Sequence, residues 1–307
     1  MKNRQTISFL IQRFREAGIR PDTRHGQNFL IDLNLVGLLA DIADVGERDV
    51  VLEVGTGTGS LTALLAPRAA AVVTVELSRE LHQLASEELV DFDNVTLLCM
   101  DALRNKNRFN QDLLDAVAER MAAIPAARLK LVANLPYCIA TPVVSNLLLT
   151  DIVPHSMTVT IQKELADRFT ARPSTKDYSA LSVWIQSQCQ VTVERVLPPT
   201  VFWPRPRVHS AMIKIVVDPA RRAQIHDLPF LLKFLRSIFQ HRRKFLRSSL
   251  IHAFGRALGK SKIDEVFQEL QFGPNTRAEE LDVQHMLALG EKIRQAAPDG
   301  PAAKPRR

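Results

Sequence analysis

The chain has 307 residues, room for about two domains on the usual scale of roughly 100–200 residues each, so a large core can be buried without metal or disulfide staples. Hydrophobic residues make up 46% and charged residues 24%, the balance of a soluble globular protein, and 40 Lys and Arg against 33 Asp and Glu give a net charge of +7 that suits a polyanionic partner. Cys99, Cys138 and Cys189 are widely spaced with no CxxC pair, which argues against a disulfide framework and a cysteine zinc site and points to a reducing compartment.

Along the chain, Ile7, Phe9, Leu10, Ile11 and Phe14 among Arg13, Arg15 and Glu16 predict an amphipathic helix over Ile7–Ala17, ending at Gly18. Charge interrupts this segment before any signal-peptide apolar region can form, and no stretch of about 18 uncharged apolar residues occurs anywhere. The expectation is a soluble cytoplasmic protein with no membrane contact. From Val50 onward strands and helices alternate. Strands are predicted at Val50–Val54, Ala71–Val75, Val95–Cys99 and Leu129–Ala133, with helices at Leu61–Ala66, Arg79–Val90 and Asp112–Ala123. Apolar strands alternating with helices predict an α/β fold whose parallel sheet is covered on both faces. Arg104–Arg128 is long for one connection and predicts a surface extension. Met157–Gln162, Val191–Val196 and Ala211–Val217 are later strands, with the Pro-rich stretch Pro198–Pro206 between the last two. After Pro219 only helical spacing remains, at Leu228–Phe254 and Lys262–Leu270. The predicted organisation is a basic N-terminal arm (1–25), an α/β catalytic domain (26–218), a smaller all-helical domain (219–295) and a disordered tail (296–307) of sequence AAPDGPAAKPRR.

The most informative local pattern is VLEVGTGTGSLT, Val51–Thr62, in which an apolar strand runs into Glu53-x-Gly55-x-Gly57-x-Gly59 and then a helix start. Glycines at Gly55 and Gly57 let the backbone turn sharply and let a ligand approach without Cβ atoms in the way. A nicotinamide cofactor would favour GxGxxG; this spacing fits an adenosylmethionine loop better. The plain alternative is a Gly-rich turn. Glu76, at the end of the second strand, has the position from which a carboxylate accepts both ribose hydroxyls of a nucleoside, with a helix-capping role as the alternative. Asp101 follows the third strand and could accept from an adenine amino group, or cap a helix. Three such features at successive strand ends are poorly explained as turns and caps, and they lay a nucleoside along the carboxyl edge of the sheet.

After the fourth strand stands Asn134-Leu135-Pro136-Tyr137. Pro136 fixes the turn, so that the Asn134 side-chain oxygen and a neighbouring main-chain carbonyl can converge on one amino group. An exocyclic amine on an aromatic base is a poor nucleophile because its lone pair is delocalised into the ring. Two acceptors on its N–H bonds favour a pyramidal nitrogen, while Tyr137 can stack on the base and hold it in line. A packed proline turn is the alternative.

Gly26-Gln27-Asn28-Phe29-Leu30, VLEVGTGTGSLT, Glu76, Asp101-Ala102-Leu103, NLPY and Gln162-Lys163-Glu164 stand together in this order, followed by YSALSV (Tyr178–Val183), FWPRPRVHSA (Phe202–Ala211), FQHRRKFLR (Phe239–Arg247) and TRAEEL (Thr276–Leu281). In these residues the chain resembles the KsgA family of rRNA adenine N6,N6-dimethyltransferases over roughly residues 20–295. The resemblance implies a Rossmann-like class I S-adenosylmethionine-dependent methyltransferase domain with a helical C-terminal domain. It also implies transfer of four methyl groups from S-adenosylmethionine to two adjacent adenosines in the 3′-terminal hairpin of 16S rRNA, within a precursor of the small ribosomal subunit. By the same resemblance Asn28, Leu30, Gly55, Gly57, Glu76, Asp101 and Asn134 hold the cofactor. Asn134, Pro136 and Tyr137 form the catalytic turn, and Phe202 packs on the target base opposite Tyr137 unless it is a core phenylalanine. No metal is implied, and a monomer is expected. Cys138, His209 and Ile161 depart from the family's usual Asn, Asp and Phe without removing a group assigned to chemistry.

Two other readings remain: an assembly factor without catalysis, which should show erosion of the glycine loop or NLPY, and a large-subunit rRNA methylase of the antibiotic-resistance type. The charge is also unevenly placed. From Leu228 to Ile263 there are nine Lys or Arg and no Asp or Glu, and residues 1–25 hold six basic residues against two acidic, which leaves the rest of the chain net negative. Arg242, Arg243 and Lys244 are therefore predicted to contact rRNA phosphates, which position a substrate rather than specify it.

Overall fold

The computed structural model describes residues 7–16, 18, 19, 21 and 26–298. Parts of the predicted arm (1–6, 17, 20 and 22–25) and most of the predicted tail (299–307) lie outside the described residues. The chain divides into two units, Met1–Ala166 with Thr192–Val216, and Asp167–Val191 with Val217–Arg307.

Seven strands form the main sheet: β1 (Asp49–Val54), β2 (Ala71–Glu76), β3 (Val95–Cys99), β4 (Arg128–Asn134), β5 (Ser156–Gln162), β6 (Cys189–Leu197) and β7 (Ser210–Val217). Their order is β3-β2-β1-β4-β5-β7-β6. The first five run parallel and follow the 3-2-1-4-5 order of a Rossmann-like doubly wound sheet, while β7 enters antiparallel beside β5. Every residue of β1 and β2 is buried, as continuous apolar runs require when both faces of a sheet are covered. Helix Gln111–Ala122 lies on β1 and β2 through Leu113 and Val117. Helix Leu33–Ala43, which sequence periodicity did not bring out, buries Leu35, Val36, Leu39 and Ala40 against Val51, Val72, Val132 and Met212.

Specific polar groups set that helix on the sheet. The Asp32 carboxylate caps its start by accepting from the N–H groups of Asn34 and Leu35. Lys130 Nζ donates to the carbonyls of Ala43 and Asp44 at its end and lies 2.9 Å from Asp49 Oδ2. Burial pushes the Asp49 carboxyl up, but hydrogen bonds from Lys130, Gly46 and Arg128 outweigh it and hold the group below its ordinary value. The Arg104–Arg128 extension resolves into a two-stranded ribbon, Leu103–Asn105 with Arg108–Phe109, followed by the crossover helix Gln111–Ala122.

The second unit is helical, with Leu228–Phe239, Leu246–Glu269 and Val283–Ala296 as its main elements. The predicted continuous helix Leu228–Phe254 is broken between Phe239 and Leu246, where the consecutive cations Arg242, Arg243 and Lys244 sit, and Gly259, at φ +72°, interrupts Leu246–Glu269. Phe230, Phe234 and Phe254 cluster in its core. The domain boundary predicted at 218 is incomplete, because Asp167–Val191 also belongs here. Trp184 and Tyr178 of that segment are fully buried, and the Tyr178 hydroxyl donates to the Leu281 carbonyl at 2.8 Å. Among the described residues no helix is long and apolar enough to cross a membrane.

The first βα turn rests on a buried network. Glu53 is 1% exposed, and its Oε2 accepts from Thr62 Oγ1 at 2.5 Å and Thr74 Oγ1 at 2.9 Å; Thr56 Oγ1 lies 2.6 Å from Thr74 Oγ1. Burial pushes the Glu53 carboxyl up to about 8, with the nearby Glu76 charge adding to the effect and the two threonines opposing it. A carboxyl raised in the folded state stabilises the fold fully below its unfolded value, near 4.5, and that contribution is lost as pH rises towards 8. Glu53→Gln keeps an acceptor for both threonines and removes the titration. Between pH 5 and 8 the wild-type melting temperature should therefore fall more steeply than that of Glu53→Gln; parallel profiles would show that Glu53 is ionised in the fold.

Candidate functional site

The sheet order reverses between β1 and β4, and a cavity of about 210 Å³ opens there at the carboxyl ends of the strands, where ligands bind in doubly wound sheets. Its walls are the ends of β1 (Val54–Gly57), β2 (Val75–Leu77), the turn after β3 (Met100–Ala102) and β4 (Asn134), closed by Gly26–Leu30 and Pro136. The cavity thus collects Asn28, Leu30, Gly55, Gly57, Glu76, Asp101, Asn134 and Pro136, residues far apart in sequence that were predicted to share one site.

Gly55 has φ +87°, and a Cβ there would sit 3.2 Å from Pro136 Cδ, so the glycine turn and the NLPY turn touch only because the side chain is missing. Glu76, 6% exposed, accepts from the Gly57 N–H at 2.9 Å and the Ser78 N–H at 3.0 Å. Burial pushes its carboxyl up against those two donors. Each of its oxygens has a further lone pair, so the carboxylate that orders the loop can also receive hydroxyl donors from the cavity. Asp101 is exposed and uses Oδ1 to accept from the Leu103 N–H at 2.8 Å, a local turn rather than a helix cap; among the described residues its Oδ2 has no partner.

The N-terminal segment and the NLPY turn interlock. Asn134 Nδ2 donates to the Asn28 carbonyl at 2.9 Å, and Asn28 Nδ2 donates to the Gly26 carbonyl at 3.2 Å. Gly26 has φ +73°, and a Cβ there would lie 2.8 Å from the Tyr137 nitrogen. This arrangement leaves Asn134 Oδ1 buried with no hydrogen-bond donor among the described residues. Tyr137 is half-buried, with its hydroxyl 2.6 Å from Ser210 Oγ, and burial raises its phenol.

Two sequence expectations change. Phe202 does not line the cavity; it is 2% exposed and lies in the core cluster of Leu35, Leu39, Leu61 and Met212, because its ribbon pairing with Leu30 turns the ring inward. Arg242 is not a free cation. Its guanidinium donates to the carbonyls of Tyr178 and Lys176 and lies 3.5 Å from Glu279, clamping the helical unit internally. Arg243 and Lys244 are exposed and, among the described residues, make no ion pair. Sequence reasoning also missed Leu10, which lines the cavity from the helix assigned to the basic arm. The signal was present in the apolar side of that helix: Phe14 is buried and packs edge-on to Phe29 at 5.0 Å and to Trp203 at 5.4 Å. Cys138 lies on the cavity wall, and burial followed by the Asp101 charge raises its thiol.

Comparison with known proteins agrees with this geometry. Residues 20–294 match the family model for ribosomal RNA adenine dimethylase. The chain is 37% identical over 281 residues to a ribosomal RNA small subunit methyltransferase A of Moorella thermoacetica, covering 91% of this chain and 94% of the relative. It is also 37% identical over 270 residues to the protein of that name from Halothermothrix orenii, covering 87% and 86%. Among solved structures, a dimethyladenosine transferase from Plasmodium falciparum superposes with a TM-score of 0.70 at 21% identity, covering 86% of this chain and 96% of that one. The 23S rRNA methyltransferase ErmE gives 0.59 at 21% identity, covering 87% and 100%. These two likenesses speak for the fold. A family match over nearly the whole chain, with the motif residues gathered at one cavity, makes this chain a member of the ribosomal RNA adenine dimethylase family.

Proposed function

We propose that the chain is an S-adenosylmethionine-dependent 16S rRNA adenine N6,N6-dimethyltransferase that modifies two adjacent adenosines of the 3′-terminal hairpin, four methyl groups in all, during small-subunit maturation in the cytoplasm, and that it works as a monomer. The observation that carries this reading is Asn134 Oδ1, a buried acceptor without a donor among the described residues, on a side chain that lines a nucleoside-sized cavity. Such an atom costs about 1–3 kcal/mol when left unpaired, a cost that an exocyclic amine placed there would remove.

The residues present fit the cofactor. Gly55 and Gly57 line the cavity with backbone, their missing side chains making room for Pro136 and Phe29, Glu76 retains acceptor capacity for ribose hydroxyls, and Asp101 Oδ2 is open to an adenine amine. Asn28 and Leu30 close the cavity from the N-terminal side. Bound there, the cofactor supplies a methyl group already activated by its sulfonium. The protein's part is then positioning. Asn134 Oδ1 accepts an N6 hydrogen and draws the nitrogen lone pair out of conjugation, Pro136 fixes the turn, and Tyr137 offers a flat ring to the base. No strong base is needed, since the proton leaves an already methylated, acidic nitrogen.

The names of the curated relatives favour the small subunit over the large one. An assembly factor without catalysis would have no use for the intact loop or for the unpaired Asn134 oxygen. Incubated with unmethylated small subunits and labelled cofactor, the wild type should yield N6,N6-dimethyladenosine in small-subunit rRNA, whereas label confined to large subunits would overturn the reading. Asn134→Ala should lower the methylation rate by about 10²–10³-fold while RNA binding persists; undiminished turnover would remove Asn134 from the mechanism. Replacing Arg243 and Lys244 together with Gln should weaken RNA binding and flatten its salt dependence by about 1–2 in log–log slope at unchanged cofactor affinity. Arg242→Gln should instead lower the melting temperature, because it removes an internal clamp; the opposite pattern would restore Arg242 to the RNA surface.

A further inference from the structure

The ribbon between β3 and β4 has a chemistry that the proposed reaction does not use. It starts two residues beyond Asp101, and Leu103 and Phe109, 8% and 6% exposed, anchor it in the core. Between these anchors Arg104, Asn105, Lys106, Asn107 and Arg108 are all exposed. Three of the five are cations, and no Asp or Glu occurs from 102 to 111. Among the described residues none of the three cations makes an ion pair, in contrast to exposed cations elsewhere such as Arg68 with Asp41 at 2.7 Å.

The tip is nevertheless fixed. The Asn107 N–H donates to Asn105 Oδ1 at 2.9 Å, closing the turn, and the Asn110 N–H donates to the Ala102 carbonyl at 2.9 Å. Asn146, in the helix Ala140–Leu147 that follows NLPY, donates from Nδ2 to the Lys106 carbonyl at 3.1 Å. One root of the ribbon is therefore the Asp101 wall of the cavity, and its tip is tied to the helix that begins after the turn assigned to the target amine. Three like charges so close repel one another and contribute nothing to the fold that neutral side chains would not. Opposite a strand of phosphates the same charges are favourable, and fixed cations position such a strand at little entropic cost.

We propose that Arg104, Lys106 and Arg108 form a second RNA-docking surface, in the catalytic unit itself, that grips backbone phosphates of the strand presenting the target adenosine. This rests on the function proposed above. The test is the full-length triple variant Arg104→Gln, Lys106→Gln, Arg108→Gln, assayed with unmethylated small subunits and with a hairpin RNA fragment. The expected result is a KM for the subunit raised about tenfold or more with kcat within about twofold, and a log–log salt slope of fragment binding reduced by about 2, at unchanged cofactor affinity and melting temperature. Arg104→Lys with Arg108→Lys should retain wild-type KM, since phosphate contact needs the charge. An unchanged KM and salt slope would overturn the inference, as would loss of subunit binding with fragment binding intact, which would indicate an acidic protein surface instead. If the triple variant melts early, single Lys106→Gln carries the same test at about a third of the slope change. Wild type that labels no rRNA would defeat the function proposed above; wild type that, at subunit concentrations below its KM, labels rRNA no better than the triple variant would defeat only the ribbon.

Discussion

The hydrogen bond from Asn134 Nδ2 to the Asn28 carbonyl, at 2.9 Å, decides which way the Asn134 amide faces, and the site depends on that choice. With the nitrogen committed to Asn28, the oxygen stays buried and meets no donor among the described residues. The close approach of Gly26 to the Tyr137 backbone makes the interlock possible, and Pro136 against Gly55 joins it to the glycine turn. An unmade hydrogen bond at a buried carbonyl is costly, and a substrate amine placed at Asn134 Oδ1 would complete it. The same contact ties an N-terminal segment far from the sheet in sequence to the proposed chemistry, since Asn28 orients Asn134, the residue proposed to hold the amine.

Two buried carboxyls support this arrangement in different ways. Glu53 is held close to neutral by burial and acts as an anchor for Thr62 and Thr74 under the turn, whereas Glu76 faces the cavity and spends one lone pair on each of Gly57 and Ser78. Register accounts for the pairing, since Glu53 stands directly opposite Thr74 on the neighbouring parallel strand, two residues before Glu76. The loop is thus ordered by the protein's own groups, and each Glu76 oxygen keeps a further lone pair for the ribose hydroxyls of the proposed cofactor. Preorganisation of this kind lets a methyl transfer that needs no strong base proceed through alignment alone.

The strands of the α/β unit were legible because each is an apolar run ended by a residue with chemistry, and βα alternation allows few topologies. Glu76, Asp101 and Asn134 could be read together because parallel strands put their carboxyl ends on one edge. Other features were not legible, for physical reasons. Helix Leu33–Ala43 is apolar on most sides, so it lacks the contrast on which periodicity relies. Asp167–Val191 joins the helical unit through the burial of Tyr178 and Trp184, which is a non-local preference invisible in a run bracketed by strands. Phe202 and Arg242 show the same limit. Residue type suggested a stacking ring and a phosphate ligand, but ribbon register turns the one into the core and backbone carbonyls claim the other.

The central claim is that Asn134 Oδ1 is the acceptor reserved for the target amine. A crystal structure of the protein with S-adenosylhomocysteine and an adenosine nucleotide tests it most directly. The account predicts the adenine N6 within about 2.7–3.2 Å of Asn134 Oδ1, with the Asn134 Nδ2 to Asn28 bond retained. An Asn134 amide flipped towards the cofactor, or an adenine whose N6 is bound elsewhere, would contradict it.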